Sequence, residues 1–196
     1  MKLFKLFPVL LCAAVLCSCT NSNNSKSSEE TTENKDINGE HYYLEYDNTV
    51  IDKDCALAVE KYIYEMFLVD FLIMNRDRHG ANIEVLKNPK KKTIRLAPLF
   101  DHGLSLLAPC LTEESIARFD VLADKPIQNF LGSNSSFDNL KLIPKDKLPY
   151  VNPLTESDKN EIFDGLCGVI SKSLTDKIWE MIWRRWRYYE DFCNNK

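Results

Sequence analysis

The sequence predicts a mainly α domain of α+β type in which one short β-hairpin carries the chemistry. Three observations lead to that expectation. A broadly apolar segment running to about Met74 is too long for a strand and reads as a largely buried helix. Two β-type runs, Ile83–Leu86 and Thr93–Ala97, flank a turn of Lys87-Asn88-Pro89-Lys90-Lys91-Lys92. Two capped helical stretches close the chain.

The first of the 196 residues stand apart from that domain. Lysines at positions 2 and 5 precede an apolar run from Leu6 to Leu16, then Cys17-Ser18-Cys19. A charged start, a short apolar core and a small-residue exit describe a secretory signal over residues 1–19, since about 18 or more apolar residues are needed to span a membrane. An uncleaved anchor or a misassigned start codon is the alternative. Residues 20–39, TNSNNSKSSEETTENKDING, carry almost no apolar surface and read as a disordered polar tether. The body, residues 40–196, is rich in apolar and aromatic residues and can bury a core.

A net charge of −4 gives no electrostatic case for nucleic acid. Of seven cysteines, Cys55, Cys110, Cys167 and Cys193 fall in the body, without CxxC or metal-finger spacing. After export they allow two disulfides, with buried free thiols as the alternative.

Within the body, His41–Tyr46 is aromatic and weakly alternating, a strand or an extended lead-in. Asp52 or Asp54 caps the first helix, and a polar loop from Asn75 to Asn82 follows it. After the hairpin, Pro98 to Gly103 makes a tight turn at the glycine. Prolines interrupt residues 104–154, where one short helix from about Thr112 to Leu122 is expected and Gly132–Ser136 reads as a loop. Thr155 starts the next helix, and Thr175-Asp176 caps a last one ending near Phe192. In that helix Ile178, Ile182, Trp186, Tyr189 and Phe192 form a core-facing stripe, interrupted by Arg184, Arg185 and Arg187.

The chemistry concentrates between Asp70 and Gly103. Phosphoryl transfer needs metal ions to neutralise phosphate oxygens and a group to orient the attacking hydroxyl. Magnesium takes hard oxygen ligands and keeps several waters, so one carboxylate and one amide can suffice. Asp101, at a strand exit before the Gly103 turn, and Asn82 suit that metal role. Asp77, five residues before Asn82, suits the base or hydroxyl-orienting role. Arg78 or His79 is a candidate for stabilising charge on the transferred group.

Asp-x-x-x-x-Asn, a hairpin, then Asp-x-Gly is the spacing of protein-kinase catalytic and metal loops. Asn75-Arg76-Asp77-Arg78-His79-Gly80-Ala81-Asn82, with Leu96-Ala97-Pro98-Leu99-Phe100-Asp101, resembles the HipA-type serine/threonine kinases, toxin kinases of bacterial toxin–antitoxin pairs and their relatives. The Asp-Arg-His core is similar to that of phosphoinositide-type lipid kinases. The resemblance implies a kinase C-lobe fold, Mg²⁺ and ATP as cofactors, Asp77 as catalytic base, and Asn82 and Asp101 as magnesium and nucleotide ligands. In the lipid kinases the histidine takes the catalytic part, so Asp77 and His79 both stand as catalytic candidates. Leu16-Cys17-Ser18-Cys19 likewise resembles a bacterial lipobox, implying lipidation at Cys19 and an extracytoplasmic, membrane-anchored protein. It is cytoplasmic if the leader does not function.

No glycine-rich loop and no strand lysine can be placed between Glu40 and Cys55, so the expectation is a C-lobe with its N-lobe missing. Either a partner supplies that lobe and the pair transfers phosphate to a protein serine or threonine, or the chain is a lipoprotein bearing a degenerate, non-catalytic kinase-like binding module.

Overall fold

The computed structural model describes residues 53–88, 93–110, 112–166 and 168–196. The expectations for the signal, the tether, Cys19, the His41–Tyr46 segment and the tip of the lysine turn lie outside them. The architecture is mainly helical with few short strands.

The first helix, α1, spans Lys53–Leu72. Its second half is almost wholly buried, Met66, Phe67, Leu68 and Phe71 among the core residues, which is why its apolar positions show little sidedness in sequence. Met74, with φ of 52°, turns left-handed and ends the helical path. The amide of Asn75 then bonds back to the Asp70 carbonyl at 2.9 Å.

The hairpin forms as expected, with its first strand two residues later than the apolar run suggested. Strands β2 (Val85–Asn88) and β3 (Thr93–Leu96) pair antiparallel, Val85 opposite Leu96. The Ala97 amide extends the ladder to the Glu84 carbonyl at 2.7 Å. Two further strands are too short to read from sequence. β1 (Asp77–Arg78) runs parallel to β4 (Gln128–Asn129), placing Asp77 beside Gln128.

Helix α2 covers Glu113–Arg118, shorter than expected but capped by Thr112 in a reciprocal box with Ser115. Helix α3, Ser136–Leu142, occupies ground expected to begin as loop. Its sign was present as Ser135-x-x-Asp138: the Ser135 hydroxyl accepts the Asp138 amide at 3.1 Å. Helix α4 spans Glu156–Ile162. The last helix, α5, runs Lys172–Asn195 and starts a turn before the expected cap, at Ser171. Thr175 lies inside it and bonds the Ser171 carbonyl, while Asp176 pairs with Lys159 and Lys172.

One face of α5 closes the core. Ile178, Ile182, Trp186 and Tyr189 are buried as the stripe required, against α1 and α2, while its fifth member, Phe192, is only partly buried. Of the three arginines that interrupt the stripe, Arg184 and Arg187 are exposed, while Arg185 is fully buried. It donates to the carbonyls of Val121 (2.8 Å), Phe71 (2.9 Å) and Ala123 (3.0 Å) and lies against the rings of Phe71 and Phe137. Cys110 and Cys193 are free thiols; the side chains of Cys55 and Cys167 fall outside the description. Among the described residues, no helix is long and apolar enough to cross a membrane.

Candidate functional site

The end of α1 anchors the site. Asp70 is buried there, a costly place for a carboxylate unless it is fully hydrogen-bonded. Three donors meet it: Asn75 Nδ2 at 2.9 Å, Arg78 Nε at 2.9 Å and Arg78 Nη2 at 2.8 Å. The last two form the bidentate fork that suits a planar guanidinium to a carboxylate. Asn75 in turn accepts the Asp77 amide through Oδ1 at 3.3 Å, so one buried amide sets the path of the chain into β1.

Arg78 is 1% exposed. This corrects its candidacy for stabilising transferred charge, because its side chain is committed inside the fold. Its remaining Nη1 group donates to the carbonyl of Phe100 at 2.8 Å and to that of Asn82 at 3.3 Å. Those carbonyls belong to the two separate loops that carry Asn82 and Asp101. A single guanidinium therefore holds together the loop after β1 and the exit of the hairpin.

His102 completes the cluster, its Nδ1 lying 3.2 Å from Arg78 Nη2. Since the guanidinium can only donate, Nδ1 accepts and the ring proton sits on Nε2. Burial, reinforced by the Arg78 charge, holds the His102 pKa below its usual value, against the opposing pull of Asp70, the Leu99 carbonyl and Asp101. The Leu99 carbonyl closes no ordinary hydrogen bond to the ring: Nε2 is buried without a partner. Sequence reading passed over Asp70, Asn75 and His102. The available signal was polar residues embedded in VDFLIMN and LFDHG, where the surrounding apolar residues imply burial.

The structure places the four predicted site residues as follows. Asp77 opens β1, with Oδ1 shielded from solvent and without a hydrogen bond. His79 caps the short 3₁₀ turn Gly80–Asn82, its Nδ1 accepting the Ala81 amide at 3.2 Å. In the neutral ring the proton is therefore on Nε2, which lies 3.6 Å from Asp77 Oδ1, close enough to face it and too far to bond. Asn82 is buried and spends Nδ2 on the Asp77 carbonyl at 2.9 Å, turning its amide oxygen away from that contact. Asp101 is exposed in a left-handed backbone conformation, φ of 52°, and its carboxylate accepts no hydrogen bond among the described residues. Asp77 and Asn82 are thus joined directly, and Asp101 is brought to them through the Arg78 link between Asn82 and Phe100.

No group of three or more His, Cys, Asp or Glu able to hold a metal occurs among the described residues. The donors that exist, the Asn82 amide oxygen and the free Asp101 carboxylate, with the orphaned Asp77 oxygen nearby, are all hard oxygens. They fit magnesium, which retains water and phosphate oxygens in its shell. A separate cleft of about 450 Å³ lies between the middle of α1, from Leu57 to Leu68, and residues 146–151, with the Glu60–Lys147 ion pair in its lining. None of the four predicted residues lines it.

Comparison with known proteins gives one informative likeness. The chain is 29% identical over 126 residues to the serine/threonine-protein kinase CtkA of Helicobacter pylori, a match covering 62% of this chain and 36% of that kinase. The chain thus spans little more than a third of the relative's length. No family model and no solved structure matches. By this match the chain stands in a distant, kinase-like relationship to a serine/threonine kinase.

Proposed function

We propose that residues 40–196 form a HipA-like kinase C-lobe which, completed by an N-lobe partner, carries out Mg·ATP-dependent phosphoryl transfer to a protein serine or threonine. The observation that supports this best is the shielded, unpaired Asp77 Oδ1 beside His79 and Asn82, with Asp101 free on the neighbouring loop. A buried carboxylate oxygen without a partner is expensive in a fold that only has to be stable, and the rest of the Asp77 side chain stays partly exposed, where a substrate hydroxyl would meet it.

In this mechanism Asp77 orients the acceptor hydroxyl and takes its proton. His79 faces Asp77 through Nε2–H and steadies the carboxylate once the hydroxyl approaches. The oxygens of Asn82 and Asp101 would hold Mg²⁺, whose chemistry when bound is to neutralise phosphate charge. The buried Asp70–Arg78 pair keeps these loops together and touches no substrate.

The test titrates the full chain with Mg·ATP by calorimetry, then follows phosphate transfer to serine and threonine peptides with and without an added N-lobe protein. Expected are binding and transfer that Asp77→Asn and Asp101→Ala abolish. Absence of ATP binding under both conditions, or undiminished turnover by Asp101→Ala, overturns the proposal.

A second reading is favoured by Leu16-Cys17-Ser18-Cys19 and the polar stretch behind it: a lipoprotein held outside the cytoplasm by lipid on Cys19, its kinase-like body serving as a binding module. Palmitate labelling that disappears in Cys19→Ser, in a protein inactive under every condition above, supports it. Unlabelled, cytosolic protein refutes it.

A further inference from the structure

We propose that Arg78 is a positioning residue whose buried guanidinium sets the spacing of Asn82 and Asp101, and that divalent-cation binding depends on it although it contacts no cation. The inference rests on the kinase-like reading of those two residues.

Arg78 has five N–H donors, and the polar neighbours it meets come from three parts of the site. Nε and Nη2 are forked onto Asp70 at the end of α1. Nη1 reaches the Asn82 and Phe100 carbonyls, and Nη2 also meets His102 Nδ1. Asn82 is itself one candidate ligand, while Phe100 and His102 are the two immediate neighbours of the other, Asp101. Both loops are therefore referenced to one rigid plane, and that plane is fixed by a carboxylate buried in the core. Lysine supplies the charge but only a point donor, so it cannot span Asp70 and two carbonyls together. Groups behind a metal's own ligands govern its affinity by orienting them.

Burial alone would make any substitution at Arg78 disruptive, so a control of equal burial is required. Arg185 provides it. It too is fully buried and donates to three backbone carbonyls, those of Phe71, Val121 and Ala123, none of them in the two loops. His102 gives a milder probe. Its Nε2 is already unpartnered, so leucine there removes one bond to Arg78 and also removes an orphaned donor, leaving the fold little changed. Asparagine restores an acceptor where Nδ1 was.

The experiment titrates the full chain with Mn²⁺ alone, reads bound ion from water-proton relaxation, and records thermal midpoints alongside. Expected for Arg78→Lys is about a tenfold loss of Mn²⁺ affinity, the scale on which groups behind metal ligands act. Arg185→Lys lowers the midpoint and leaves affinity at the wild-type value. His102→Leu weakens binding by a few-fold and His102→Asn recovers it. If Arg78→Lys does not fold, the His102 pair decides. Wild-type affinity in Arg78→Lys or His102→Leu overturns the inference, as does an equal loss in Arg185→Lys. A wild-type chain that binds no Mn²⁺, or whose binding survives Asp101→Ala, removes the metal pair itself and this inference with it; loss confined to Asp101→Ala refutes the inference alone.

Discussion

Arg185→Met isolates the most unusual feature of the core, a buried cation with no carboxylate bonded to it. Burial holds the Arg185 pKa down to about 10 from 12.5, with Asp124 and Asp120 offsetting part of that effect. At about 1.4 kcal/mol per pH unit, the fold opposes this charge by about 3 kcal/mol. Against that stand three hydrogen bonds from a charged donor, each contributing about 1.5–3 kcal/mol, or about 5–9 kcal/mol together. Methionine relieves the desolvation and fills most of the space between Phe71 and Phe137, but it leaves the carbonyls of Phe71, Val121 and Ala123 without their donor. The balance favours arginine by about 2–6 kcal/mol. Urea unfolding followed by tryptophan fluorescence measures this directly, because Trp179, Trp183 and Trp186 all lie on α5. A lower midpoint at unchanged slope is expected. Replacing buried charges by apolar groups is often neutral or stabilising. An unchanged or raised midpoint would therefore show that these carbonyls find other partners and that the reasoning is wrong.

Four further outcomes follow from particular contacts. Leu140→Ala should cost about 2–5 kcal/mol in the same assay, since Leu140 is wholly buried where α3 meets the core. Gly132→Ala should cost at least about 2 kcal/mol: φ there is +84°, and a Cβ would sit 2.3 Å from Asn139 Oδ1, which is fixed by bonds to Ser133 at both ends of its amide. Tyr62→Phe tests a pH effect. Burial raises the Tyr62 pKa above 10, and the hydroxyl donates to the Ala97 carbonyl at 2.8 Å, so its contribution is complete below pH 10 and is lost as pH rises through the folded-state value. The variant should lose about 1 kcal/mol at neutral pH and show a shallower alkaline decline in stability. Phe130→Ser should change stability by less than about 0.5 kcal/mol, because the ring is 63% exposed; a large loss in thermal melting would contradict its placement.

Local signals carried much of the architecture. A long apolar run became α1, the two β-type runs paired as a hairpin, and the three- and four-residue spacing in α5 marked Ile178, Ile182, Trp186 and Tyr189 as core. These are legible because periodicity and turn chemistry act between neighbours in sequence. Asp77, His79, Asn82 and Asp101 were named for the same reason, their residue types and spacing being local. What pairs with what was not local. Strands of two residues, such as β1 and β4, exist only because residues about 50 positions apart meet. Nor does the sequence distinguish Arg185, buried on three carbonyls, from Arg184 and Arg187, which face solvent. Arg78 shows the division best. Its sequence offered a charge beside a reactive loop, and the tertiary structure made it an internal strut, because the buried Asp70 carboxylate and three converging loop acceptors leave its guanidinium nowhere else to be satisfied.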